Sequence, residues 1–123
     1  MESKQKTIFV VDDNAVNLTV AHGVLSKHYT LLAATSGAVM FEILERNQPD
    51  LILLDVEMPE MDGFEVITLL KSTEKTAHIP VIFLTSKTDG ESILKGFSLG
   101  AVDYIDKPFV PDYLIGRIEH FIL

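Results

Sequence analysis

At 123 residues, with 47% hydrophobic and 8% aromatic residues, the chain is the size of one globular domain able to bury roughly two thirds of its unfolded surface, and nothing in it indicates disorder or a repeat. Its 18 acidic against 10 basic residues give a formal net charge of -8, which repels nucleic acid and anionic lipid. The absence of cysteine excludes disulfides, thiolate metal sites and cysteine nucleophiles. No apolar run approaches the ~20 residues of a membrane span, and the run after the charged N-terminus, Ile8 to Val11, is too short for a signal peptide, so a cytoplasmic protein is expected.

Two periodicities alternate along the chain. Ile8 to Val11 reads as a short buried strand ending in Asp12-Asp13, and Asn14 or Asp13 is placed to cap a helix with Val16, Val20, Ala21, Val24 and Leu25 at helical spacing. A weaker strand, Tyr29 to Ala34, leads through Thr35-Ser36-Gly37 into a helix carrying Val39, Met40, Ile43 and Leu44. Leu51-Ile52-Leu53-Leu54 is a strand buried on both faces that delivers Asp55 to its end. Met58 to Gly63 forms a loop, and Asp62 with Glu65 has capping-box spacing for a helix containing Phe64, Ile67, Leu69 and Leu70. Lys71 to Ala77 reads as a polar connection. Val81 to Leu84 ends in Thr85-Ser86, Thr88 and Glu91 are spaced as a second capping box ahead of Ile93, Leu94 and Phe97, and Gly100 suits the position just past a helix end. The last strand, Val102 to Ile105, ends at Asp106-Lys107-Pro108. Pro111 then suits the first turn of a helix bearing Leu114, Ile115, Ile118, Phe121 and Ile122, with Leu123 extending its apolar face.

Five strands, each followed by a helix, predict an α/β fold: one domain over residues 1–123, built as a doubly wound parallel five-stranded sheet with helices on both faces. Sites in such sheets form outside the carboxyl ends of the strands, at the point where strand order reverses. Asp12, Asp13, Asp55, Thr85 and Lys107 all stand at such ends. Two carboxylates 4 Å apart repel by about 4 kcal/mol at an effective dielectric of 20, so the cluster invites a cation. Oxygen ligands without cysteine or paired histidines favour Mg²⁺ or Mn²⁺. The four histidines are scattered and show no ligand spacing. A metal with Lys107 would neutralise a phosphoryl group, the Thr85 hydroxyl would bond one of its oxygens, and Asp55 would be the nucleophile that forms an aspartyl phosphate.

Asp12-Asp13, Leu53-Leu54-Asp55-Val56-Glu57-Met58-Pro59 with Met61-Asp62-Gly63, Leu84-Thr85 and Lys107-Pro108-Phe109 resemble the receiver domain of two-component response regulators, of the chemotaxis-regulator kind, from Thr7 to Ile122. The resemblance implies a flavodoxin-like sheet in the order 2-1-3-4-5 and a phosphorelay switch in which a sensor histidine kinase or a histidine phosphotransfer protein phosphorylates Asp55. It implies Mg²⁺ held by Asp13, Asp55 and the backbone carbonyl of Glu57, with Asp12 assisting through water and Lys107 contacting the phosphate. Thr85 and Tyr104 resemble the family's switch pair, the hydroxyl moving to the phosphate and the ring turning inward, and the Lys107-Pro108 bond is expected to be cis. By analogy, an effector domain or protein, or a second copy in a homodimer, would use a face built from Lys95, Asp103, Tyr104, Asp106 and Arg117.

Such a domain is not an enzyme beyond assisting its own phosphorylation and dephosphorylation. Ser86 stands where the family often has Ala, Val110 stands where a capping Ser or Asp is usual, and Glu57 and Lys87 flank the site and are spaced to pair across it. The alternative is a hydrolase of the haloacid dehalogenase type, but that family has a second Asp where Glu57 stands, and a cap domain has no room here. A flavin carrier is disfavoured because a phosphate loop built from Asp12-Asp13 would repel the cofactor. Phe121-Ile122-Leu123 reads as the core face of the last helix, and the end there without a polar tail leaves open a second reading, excision from a longer protein.

Overall fold

The computed structural model describes residues 5–122; residues 1–4, read above for their charge, and Leu123 of the last apolar face lie outside the described residues. The elements run β1 (Thr7–Val11), α1 (Ala15–Leu25), β2 (Thr30–Ala34), α2 (Gly37–Leu44), β3 (Leu51–Leu54), α3 (Gly63–Ser72), β4 (Val81–Thr85), α4 (Gly90–Ser98), β5 (Asp103–Asp106) and α5 (Pro111–Ile122). All four strand pairings are parallel, in the order β2-β1-β3-β4-β5, which is the flavodoxin-like doubly wound sheet. The order reverses between β1 and β3, and the acids that follow these strands stand side by side as a result.

Two-residue alternation along the strands divides the core into two layers. Phe9, Val11, Ile52, Leu54, Val81 and Phe83 face α2, α3 and α4, meeting Met40, Leu44, Ile67 and Leu70. Ile8, Val10, Leu51, Leu53, Ile82 and Leu84 face α1 and α5, meeting Ala21, Leu25, Leu114 and Ile118. All four residues of β3 are 0% exposed, which is why the central strand reads as an unbroken apolar run.

Three helix starts carry side-chain caps where the local sequence places them. Asn14 caps α1, its side chain accepting from the Val16 and Asn17 amides; Ser36 caps α2, and Asp62 with Glu65 closes the reciprocal box on α3. The start of α4 differs from the expected one. Its cap is Asp89 rather than Thr88, accepting from the Ser92 amide at 3.1 Å and the Ser92 hydroxyl at 2.7 Å, so the box expected from Thr88 and Glu91 is not the one that forms. Gly100, at φ 110°, takes the left-handed position past α4.

Helical spacing misplaced several apolar side chains. Val16 and Val20 on α1 are 69% and 51% exposed, and only Ala21 and Leu25 of that helix are buried. On α4, Leu94 and Phe97 are 73% and 44% exposed while Ser92 and Gly96 face inward, because the rings of Phe83 and Tyr104 already fill the space beneath that helix. Leu69 of α3 also turns outward, and Val66 takes an inward position. The stretch from Lys71 to Ala77 is not a simple polar connection: α3 continues to Ser72, Thr76 is buried, and Lys71 donates to the Ala77 and Ile79 carbonyls at 3.1 and 2.7 Å. Burial pulls the Lys71 ammonium below its ordinary pKa.

The loop from β3 to α3 returns α3 close beneath the end of β3. The Gly63 amide donates to the Val56 carbonyl at 2.8 Å, and a Cβ on Gly63 would lie 2.3 Å from the Asp55 carbonyl oxygen. Only glycine permits this approach, since the obstacle is backbone on both sides. Glu60, at φ 68°, supplies the left-handed turn that makes the return possible. Gly63→Ala is expected to destabilise the fold by at least about 2 kcal/mol, read as a fall in Tm of roughly 8 °C or more, and an unchanged Tm would show that α3 does not depend on this approach.

Candidate functional site

The sheet ladder carries two acids one residue beyond their strands. The Asp12 amide donates to the Ala34 carbonyl at 3.1 Å and the Asp55 amide to the Val11 carbonyl at 3.0 Å, so both side chains project at the carboxyl rim while remaining 5% and 6% exposed. Lys107 is fixed from the far side of the sheet, its amide donating to the Thr85 carbonyl at 3.0 Å, with a cis Lys107-Pro108 bond following it. Its ammonium donates to Asp12 Oδ2 at 2.7 Å and to Asp55 Oδ2 at 3.1 Å. The remaining carboxylate oxygens have backbone partners: Asp12 Oδ1 accepts from the Asn14 amide at 2.9 Å and Asp55 Oδ1 from the Glu57 amide at 3.3 Å.

Burial pulls the Lys107 ammonium down, and the Asp12 and Asp55 carboxylates outweigh that effect and hold it above its ordinary value. The stability drawn from this group is therefore present through neutral pH and is lost only as pH rises past the usual lysine range. One cation against three carboxylates leaves the rim negative. Asp12, Asp13 and Asp55 each offer an oxygen within 4.8 Å of the others, Asp12 and Asp55 buried and Asp13 exposed between them and solvent. This donor set, all carboxylate oxygen with neither imidazole nor thiolate, fits a hard divalent ion such as Mg²⁺. Asp13 and the exposed Glu57 share a cleft of about 440 Å³ with Met58 and Lys87.

The residues read from the sequence therefore divide into two groups. Asp12, Asp13, Asp55 and Lys107 meet directly. Thr85 and Tyr104 meet through Lys87: the fully buried Thr85 Oγ1 accepts from the Lys87 amide at 3.2 Å, and the Tyr104 hydroxyl donates to the Lys87 carbonyl. Burial, and then the charges of Asp89, Asp55 and Glu57, push the Tyr104 hydroxyl up to about 12, so it remains a donor at neutral pH. Its ring packs on Phe83 at 5.4 Å between centroids, over a place where α4 has no side chain. A Cβ on Gly96 would lie 2.9 Å from Tyr104 Cε2. A mid-helix glycine costs about 1 kcal/mol relative to alanine, and here it makes the seat for that ring.

One expectation is corrected. Among the described residues Glu57 and Lys87 form no ion pair; the Lys87 ammonium lies 3.7 Å from Asp89 Oδ1, on its own loop. Of the residues placed on the partner face by analogy, Lys95 sets its ammonium 4.7 Å above the Phe64 ring on α3. Asp103 and Arg117 meet each other, at 2.6 Å. The sequence reading also missed Asn17, whose side-chain amide donates to Asp12 Oδ2 at 3.2 Å, and the seat at Gly96. The only signal for either was an unexplained polar residue in a first turn and an unexplained glycine within a helix.

Similarity to known proteins agrees with this geometry. The chain is 47% identical over 115 residues to a protein of Vibrio cholerae serotype O1 named as a probable cyclic di-GMP phosphodiesterase, covering 94% of this chain and 26% of that protein. It is 37% identical over 119 residues to the transcriptional regulatory protein RprY of Bacteroides fragilis, covering 97% of this chain and 50% of that protein, so it spans half or less of these relatives. The solved receiver domain of the sensor histidine kinase PA1611 from Pseudomonas aeruginosa, which holds a magnesium ion in its active-site cleft, superposes with a TM-score of 0.87 at 28% identity over 96% of this chain and 98% of that one. The pattern of the response regulator receiver domain matches residues 8–119. With that match across the whole sheet and an acid rim at its switch point, the chain belongs to the response regulator receiver domain family.

Proposed function

We propose that Asp55 is the phosphoacceptor of this receiver domain, that Asp12, Asp13, Asp55 and the backbone carbonyl of Glu57 hold Mg²⁺, with Mn²⁺ as a substitute, and that Thr85 and Tyr104 carry the resulting change outward. The observation that carries the reading is the Lys107 ammonium shared between Asp12 and Asp55 at the point where strand order reverses. In the transfer an Asp55 carboxylate oxygen forms a bond to phosphorus as the bond from phosphorus to the donor imidazole nitrogen breaks, and the freed imidazole takes its proton from solvent. Bound Mg²⁺ supplies positive charge for the carboxylates and the phosphoryl oxygens. Lys107, protonated and already 3.1 Å from Asp55 Oδ2, follows the charge onto the phosphoryl group. The near-complete burial of Asp55 leaves a narrow approach, which suits a phosphohistidine presented end-on.

The haloacid dehalogenase reading finds no support, since the family match covers residues 8–119 and the second acid of that chemistry is here the exposed Glu57. The domain switches rather than turning over a substrate, assisting only its own phosphorylation and dephosphorylation. Its donor would be a sensor histidine kinase or a histidine phosphotransfer protein, and its output an effector domain, an effector protein or a homodimer reached through α4, β5 and α5, where Leu94, Tyr113 and Val110 are exposed. The net charge of -8 argues against nucleic acid as a direct ligand, and among the described residues no helix is long and apolar enough to cross a membrane, in keeping with a cytoplasmic setting.

Incubation with Mg²⁺ and a small phosphodonor is expected to add one phosphoryl group by intact mass, and Asp55→Asn is expected to add none; an acid-labile phosphate on that variant would overturn the assignment. Chelation of Mg²⁺ is expected to slow the wild-type reaction at least tenfold. Gly96→Ala, which should stabilise an isolated helix by about 1 kcal/mol, is expected instead to drive the Tyr104 ring from its seat, and unchanged Tyr104 ring resonances on phosphorylation would remove Gly96 from the switch.

A further inference from the structure

Asp12 is the most tightly engaged carboxylate of the rim, and its two oxygens are held by different kinds of group. Oδ1 takes a single neutral amide, that of Asn14 at 2.9 Å. Oδ2 takes two donors, the Lys107 ammonium at 2.7 Å and the Asn17 side-chain amide at 3.2 Å. Lys107 in turn stands closer to Asp12 than to Asp55, by the difference between 2.7 and 3.1 Å. The ammonium that the phosphoryl group on Asp55 needs is thus under competition, and Asn17 is the other donor to the competing oxygen.

We propose that Asn17 is a positioning residue for phosphoryl transfer: by donating to Asp12 Oδ2 it holds that carboxylate in place and satisfies part of its charge, which leaves Lys107 free to move onto the phosphoryl group. The inference rests on the phosphoacceptor reading above. Its geometry is set locally. The Asn14 side chain accepts from the Val16 amide at 2.8 Å and the Asn17 amide at 3.2 Å, so the cap that starts α1 also fixes the backbone from which Asn17 reaches back to the rim. Asn17 is partly buried, on the wall of a groove of about 460 Å³ that Asp12, Lys107 and Ser86 also line. An amide is suited to the task because it donates without adding a second cation, which would itself draw on the phosphoryl charge. Without it, Asp12 Oδ2 would depend on Lys107 alone and hold the ammonium back from Asp55.

The test measures Asp55 phosphorylation by acetyl phosphate at saturating Mg²⁺, with Mg²⁺ affinity by calorimetry and Tm, in the full chain carrying Asn17→Ala or Asn17→Gln. Asn17→Ala is expected to slow phosphorylation about tenfold, the lower end for a hydrogen bond to a charged group, with Tm within about 2 °C of the wild type. Asn17→Gln, which keeps the donor, is expected to recover to within about threefold. An alanine variant as fast as the wild type, or alanine and glutamine variants equally slow, would overturn the proposal. A wild-type chain that takes no phosphate would instead refute the phosphoacceptor reading. Mg²⁺ affinity then decides for Asn17: a fall of several-fold in Asn17→Ala supports its hold on Asp12, and equal affinity removes it.

Discussion

A single ammonium group lies between two buried carboxylates that come from distant parts of the chain. Lys107 is 95 residues from Asp12 and 52 from Asp55, and it bonds both. The arrangement can exist only if β1, β3 and β5 end at the same rim, so the registers that link β1 through β3 and β4 to β5 are conditions for it. It also explains why the rim tolerates the acids. Taking one partner from a buried ion pair leaves an uncompensated charge and costs far more than the pair contributes, so the cluster is tied to its lysine. The same lysine leaves the cluster still negative, so that Asp12, Asp13 and Asp55 form a group able to hold further positive charge.

The two faces of the sheet serve this rim differently. On one, α1 starts immediately after Asp13 with Asn14 as its cap, so the turn that reverses the chain also supplies the Asp12 carboxylate with an amide. On the other, α3 returns beneath Asp55 through Gly63, and α4 leaves a gap at Gly96 that Tyr104 occupies. The Lys87 peptide joins these parts, its amide directed to Thr85 and its carbonyl to Tyr104. A change in charge at Asp55 that drew the Thr85 hydroxyl toward the phosphate would take a hydrogen-bond acceptor from that peptide. The loop before α4 and the exposed surface of that helix would then feel it through one residue.

Much of the site was legible from residue order, because its parts are strand-end residues and each strand is a short apolar run with sharp limits. The positions that were not legible share a cause. Val16, Val20, Leu94 and Phe97 have helical spacing, yet how wide a stripe of a helix touches the sheet depends on what the neighbouring elements already fill. Thr88 and Asp89 are both acceptable caps, and Ser92 decides between them by offering two donors. Lys71 looked like part of a solvated loop because nothing local shows that the Ala77 and Ile79 carbonyls would fold back over it.

The sequence by itself determined the strand ends to within one residue, most of the helix caps and the residue types at the rim, because these rest on local propensity and on the two-residue and helical periods. It also carried the family, since separated motifs stand in order at those ends. Only the tertiary structure decided that Lys107 is divided between Asp12 and Asp55, that Lys87 pairs with Asp89 rather than Glu57, that Lys95 turns to Phe64, and that Asn17 reaches Asp12. The physical reason is that a charge chooses its partner by distance and burial after the backbone has closed, and neither quantity is written in the spacing of residues along the chain.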